Sequence, residues 1–275
     1  MPTQSFLETY VVVTDITVIA VVLLGLASGL SKITAPVTDR IRTWIVITVT
    51  VLAWYGLSTY LAVHDVFRAS RAVKVPALPF AVFIPIIAGL WLLSRLRIIT
   101  RVLDATPLSW LIGVQVYRVV GVIFLILLGA GQLPREFALP AGTGDVIVGL
   151  LALPVAWAAG TGSRRGLLAA YVWNGFGILD FIVAIATGFL SSPGRIQLLA
   201  LDHPNLIASA YPLVMIPVFL VPLSSILHGL CVWKIRRQSR VGVTNANSST
   251  PPPHPSNSEA GPTGAPPGSA SALGA

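Results

Sequence analysis

Three ionisable side chains in the apolar runs could do chemistry together. Arg118, Asp145 and Asp180 each lie within, or at the start of, a long apolar run. A charged side chain at the bilayer centre costs about 2.5–3.5 kcal/mol on insertion scales, so such residues pair with one another and mark sites. Gln115 precedes Arg118 by three residues and shares its helical face. Asp180 shares a face with Trp173, Gly177 and Ala184, where small residues allow a second helix to approach closely. Counted along their spans, Arg118 and Asp180 differ in depth by roughly 6 Å at 1.5 Å per residue, within reach of an arginine side chain. The expectation is a buried Arg118–Asp180 ion pair. Asp145 joins it from the outer start of the next span, and Asn174, Gln115 and Tyr117 add hydrogen bonds.

Two roles fit such a cluster equally well. One is a polar pocket, open outward, that binds or transports a small polar or anionic solute or protons. Arg118 then holds the anion or serves as counter-ion, Asp180 is its partner or the proton carrier, and Asp145 guards the outer mouth. The substrate-binding set is Arg118, Asp180, Asp145, Asn174 and Gln115. The other role is a structural ion pair that fixes helix register in a partner-binding membrane protein.

Gly142-Thr143-Gly144-Asp145 resembles the GxGD motif of intramembrane aspartyl proteases, and Pro76-Ala77-Leu78-Pro79 resembles their PALP element. In those enzymes two carboxylates share a proton and activate water. Asp145 and Asp180 are the pair that this resemblance implies, although the order of the motifs is reversed here. The plain alternative makes Gly142, Gly144 and Asp145 a turn and N-cap that open the fifth helix. Catalysis is not the favoured reading, and no catalytic residue is assigned.

Other chemistries find little support. His64, Asp65, Asp202 and His203 lie in two distant loops without metal-ligand spacing, so no metal is expected. His228 is placed at the inner end of the last helix. Paired axial histidines for a haem are missing, and the last span holds no lysine for a retinal Schiff base. No P-loop, HExxH or GxSxG motif occurs, and no cofactor is expected. The single cysteine, Cys231, excludes an internal disulfide.

The elements that must position these residues are membrane helices. Only 10% of the 275 residues are charged, 55% are hydrophobic and the mean hydropathy is +0.82. That surface cannot face water, but it can face lipid, where each span needs about 20 apolar residues. Seven runs qualify, at about 10–30, 43–63, 77–93, 108–131, 144–159, 167–190 and 206–233. Six remain if the first, interrupted by Asp15, does not cross. The fold class is therefore all-α, a polytopic helix bundle over residues 1–240. A Pro/Ser/Gly/Ala-rich tail over 241–275 should be disordered, because it cannot bury enough apolar surface.

Loop charge sets the orientation. Lys32, Arg40, Arg42, Arg95, Arg97, Arg101, Arg164, Arg165, Lys234, Arg236, Arg237 and Arg240 fall on one face. Arg68, Arg71, Lys74, Arg135 and Arg195 fall on the other. The first face is cytoplasmic on this rule, with the N-terminus outside and the C-terminus and tail inside. The net charge of +8 then serves the positive-inside effect and anionic lipid, not nucleic acid. The expected location is the cell (inner or plasma) membrane, and the expected partners are the lipid bilayer and a small-molecule or ion substrate.

One wider resemblance remains. Gln115-Val116-Tyr117-Arg118, Gly131-Gln132-Leu133-Pro134 and Phe137 to Asp145 look like a pattern recurring in uncharacterised bacterial multi-pass membrane proteins. Trp173-Asn174, Asp180, Ser191-Ser192-Pro193-Gly194 and Ile216-Pro217-Val218-Phe219 fit the same pattern. The resemblance implies no activity. It does imply that Arg118, Asp145, Asn174 and Asp180 belong to one set.

Overall fold

The computed structural model describes residues 2–72 and 75–248, with side chains described up to residue 238. Residues 1–238 form one unit and 239–275 a second, of which only the end of the last helix is described. Among the described residues the fold is all-helical, and seven helical segments are long and apolar enough to cross a membrane. The chain is a multi-pass membrane protein.

Helix α1 (Gln4–Ser31) is capped by Thr3, whose side chain accepts from the Phe6 N–H. It is long and apolar enough to cross a membrane, as the seven-span reading requires. Helix α2 (Val37–Val63) carries Asp39 in its first turn, and α3 (Leu78–Arg95) carries Pro79 in its first turn, where the missing N–H has no partner to lose. Helix α4 (Arg97–Ala105) is short and amphipathic, and its Val102 packs on Leu30 and Ile33. The carbonyls of Leu103 and Asp104 accept from Lys234 Nζ at 2.6 and 3.1 Å, and Arg237 pairs with the Asp104 carboxylate at 2.8 Å. Two basic residues at the inner end of the last span thus satisfy the end of α4.

The fourth span is built from three pieces: α5 (Leu108–Gly113), a 3₁₀ segment (Val114–Gly121) and α6 (Val122–Gly129). Helix α7 (Arg135–Gly160) and helix α8 (Arg164–Ser191) follow, the latter capped by Ser163. A wide π turn (Ile216–Leu220) then leads into α9 (Val221–Ser248). In that turn the Val221 N–H reaches back to Ile216 O, next to Pro222, which has no N–H to donate.

Polarity in the bundle runs opposite to that of a soluble core. Trp157 is 78% exposed, and Leu24 and Leu150 are also exposed, whereas Gln115, Asn174 and His228 are fully buried. Lipid solvates the first group, and the second must find partners inside. Helix α7 makes the closest approaches. Its Ala138, Ala141, Val148, Ala152, Ala156 and Ala159 are buried, and Gly149 lies against the backbone of Arg118 and Val119. Small residues let helices in lipid approach backbone to backbone, which brings the next turn of α7 onto the arginine.

Two expectations about boundaries are corrected. The fifth helix begins at Arg135, after Pro134, and not near Gly144. Gly142, Gly144 and Asp145 therefore lie inside α7 and form no turn or N-cap. The helix tolerates Pro140 early in its length, so the proline does not delay its start. The seventh span begins at Ile216; residues 206–215 form turns held by Ser209, whose Oγ accepts from the Ala69 N–H at 3.0 Å. Helix α9 is continuous to Ser248, the two compact units divide between 238 and 239, close to the expected boundary at 240/241, and the rest of the tail, from residue 249, lies outside the described residues.

Candidate functional site

The 3₁₀ segment sets the geometry. With three residues per turn, side chains at i and i+3 eclipse. Gln115, Arg118 and Gly121 stand in one line, and all three are buried. This line faces α7, α8 and α9, Gln115 meeting Ser224 of α9. Asp145 packs against Gly121, where a Cβ would collide with its side chain, and Asp180 occupies the space that a Cβ on Gly144 would fill.

Arg118 is the centre of the cluster, with 2% of its side chain exposed. Its Nε donates to Asp145 Oδ1 at 2.8 Å, and Nη2 lies 2.8 Å from the same oxygen. Nη2 also donates to Asp180 Oδ2 in a short ion pair. Nη1 donates to the Gly177 carbonyl at 3.4 Å and to His228 Nε2 at 3.1 Å. The guanidinium face lies 3.8 Å from the Phe181 ring centroid, a cation–π contact. Of the five N–H donors of a guanidinium, four make hydrogen bonds here, and Nη2 also lies in ion-pair contact with Asp145, so all three nitrogens are engaged.

Asp145 and Asp180 both converge on this one guanidinium, as the sequence led us to expect. Their depths differ from expectation. Asp145 sits about ten residues into α7, roughly 15 Å along the axis at 1.5 Å per residue, and so lies near the middle of its helix. It is not at the outer mouth. A protease dyad needs two carboxylates that share a proton with each other; here the arginine stands between them.

His228 is the residue that sequence reasoning placed wrongly. It lies in the bundle core and not at the inner end of its helix; Lys234, six residues on, marks that end. A signal was present. Ser224, His228 and Cys231 recur at i, i+4 and i+7, a polar stripe down one face of α9. His228 Nδ1 bonds Asn174 Oδ1 at 2.9 Å. The Asn174 amide nitrogen donates to Ala170 O at 2.7 Å and to Cys231 Sγ at 3.1 Å. Asn174 thus belongs to the set through His228. Gln115 does not touch the carboxylates. It pairs with Ser224, accepting from Oγ and donating to the backbone carbonyl at 3.3 Å.

A cavity of about 60 Å³ reaches this cluster from the end of the bundle where α7 starts and α8 ends. Ser192, Asn205 and Ser209 line its outer part, Phe137 and Phe181 its walls, and Asp145 is its carboxylate. A second space of about 20 Å³ is bounded by Tyr117, Arg118, Asp145 and Ser224, enough for one water. No group of three or more histidine, cysteine or acidic residues suited to a metal occurs among the described residues.

A family model for a domain of unknown function, DUF8737, matches residues 74–236, and the chain belongs to that family. The match contains every residue of the cluster. No curated protein and no solved structure matches the chain.

Proposed function

We propose that the protein binds a single positive charge, a proton or a monovalent cation, at the Arg118–Asp145–Asp180 centre, and moves it between the outer face and the bundle core. The family supplies no activity, so the reading rests on chemistry alone. One observation carries it: one guanidinium, with all three nitrogens engaged, faces two carboxylates in the middle of a membrane span. With both carboxylates ionised the centre has a formal charge of −1. A buried uncompensated charge costs several kcal/mol, so one more positive charge completes the site. The same observation disfavours an anionic solute, because protein acceptors already engage every nitrogen of Arg118 and two carboxylates face it. The cavity that ends at Asp145 supplies the entry path.

The test is charge displacement by proteoliposomes on a solid-supported membrane. Concentration jumps of protons, Na⁺, K⁺ and ethylammonium are applied in turn. The proposal expects a transient inward displacement for at least one of these ions, and its loss in Asp180→Asn. Asp180→Asn leaves a balanced Arg118–Asp145 pair and should fold. No displacement in any jump, or an equal displacement in Asp180→Asn, overturns the proposal.

A further inference from the structure

The outer cavity carries more information than its carboxylate. Its wall is aromatic: Phe124, Phe137, Phe181 and Phe189 all line it, and Phe124 and Phe137 meet edge to face with centroids 5.2 Å apart. At the other end Asn205 lines the same space. It is fully buried, its Oδ1 accepts from the Ala208 N–H at 3.3 Å, and its Nδ2 has no hydrogen-bond partner. A buried amide donor without a partner is rare in proteins and points to a missing acceptor. Carboxylate, ring faces and a free donor therefore surround one small volume.

This combination selects among cations. A metal ion such as Na⁺ or K⁺ must exchange its water shell for several oxygens, and phenylalanine rings supply none. An organic ammonium is suited to a carboxylate beside aromatic faces. One water needs about 10–15 Å³ of such space, so about 60 Å³ holds roughly four to six waters and the ligand has few non-hydrogen atoms. We propose that this cavity binds a small alkylammonium ion bearing a hydrogen-bond acceptor, its nitrogen on Asp145, its carbons among the phenylalanines and its acceptor on Asn205 Nδ2. The assignment rests on the single-positive-charge reading of the centre and names the class of cation.

Calorimetric titration of the full chain in nanodiscs tests it, with three probes. Ethanolammonium carries both the charge and the acceptor. Ethylammonium lacks the acceptor, and 1-propanol has the shape of ethanolammonium with a methyl group in place of the NH₃⁺. Ethanolammonium should bind, with ethylammonium weaker by about tenfold for the lost hydrogen bond. 1-Propanol should give no heat at ten times the concentration. Asn205→Ala should bring the two ammonium ions to equal affinity, and Asp145→Asn should abolish binding. Phe137→Leu, which keeps an apolar side chain but loses the ring, should weaken both ions severalfold while the unfolding temperature stays within a few degrees.

Absence of ethanolammonium binding, equal binding of 1-propanol, or indifference to both Asp145→Asn and Phe137→Leu overturns the assignment. The two proposals fail separately. If protons or Na⁺ displace charge and no alkylammonium binds, only the alkylammonium assignment falls. If ethanolammonium binds through Asp145 and no ion displaces charge, the ligand class stands and the movement of charge falls.

Discussion

Arg118 donates from Nη1 to His228 Nε2 across 3.1 Å, and that contact orders a chain of hydrogen bonds through three helices. Arginine only donates, so Nε2 accepts and the imidazole carries its proton on Nδ1. Nδ1 then donates to Asn174 Oδ1, and both Asn174 amide hydrogens are used on Ala170 O and Cys231 Sγ. Each member has one orientation that satisfies its neighbours.

His228 and Asn174 therefore act as a unit. His228→Leu or Asn174→Leu should each cost about 1–3 kcal/mol, because each leaves buried groups without partners. The double variant should cost less than the sum, by about 0.5–3 kcal/mol. Reversible unfolding of the four proteins in mixed micelles measures this, and strict additivity would contradict the chain of donors.

Removing charges from the centre should have unequal effects on stability. Arg118→Met leaves two buried carboxylates without their cation and should destabilise by about 3–5 kcal/mol. Asp180→Asn leaves a one-to-one pair and should be close to neutral. The difference in unfolding free energy between these two variants is the readout. Equal losses would mean that the arginine is not the shared partner.

Gly144 is predicted to be intolerant of even a methyl group. A Cβ there would overlap the Asp180 carboxylate, whereas one on Gly175 meets nothing within 4 Å. Gly144→Ala should cost about 1–3 kcal/mol, the usual effect of overpacking, and should weaken ion-dependent charge displacement. Gly175→Ala is the control and should leave both unchanged. Equal behaviour of the two alanine variants would count against the close contact of α7 with α8.

Much of this architecture was legible in the sequence because hydropathy and intramembrane charge are strong, additive signals. The seven spans follow from runs of apolar residues, and the convergence of Arg118, Asp145 and Asp180 follows from the cost of leaving any of them alone. What was hidden depends on local hydrogen bonding. The Gly142–Asp145 stretch has turn composition, yet α7 starts at Pro134 and runs through it, because in lipid a helix satisfies its own backbone where a loop does not. Nothing in Val114–Gly121 announces a 3₁₀ segment, although it is this tightening that aligns Gln115, Arg118 and Gly121. His228 was passed over because it lies close in sequence to the basic cluster that ends the span. The i, i+4, i+7 spacing of Ser224, His228 and Cys231 was the better guide.

Asp15 provides a prediction of the opposite sign. It is fully buried on the face of α1 that carries Val11, Val18 and Ile19, and neither carboxylate oxygen has a hydrogen-bond partner. Leucine has nearly the same branched shape and no polar atom to bury. Asp15→Leu should therefore stabilise the protein by about 1–3 kcal/mol, raising its unfolding temperature in detergent. A lower unfolding temperature would show that this carboxyl has a partner.

The most direct test of the central claim counts charge. Integrated displacement on a solid-supported membrane, divided by the amount of oriented protein, gives elementary charges per molecule for the ion that elicits a response. A centre with two carboxylates and one guanidinium engaged at all three nitrogens should take up one charge in the wild type and none in Asp145→Asn or Asp180→Asn. A displaced charge of one that persists in both single variants would contradict the account, and so would a wild type that displaces none.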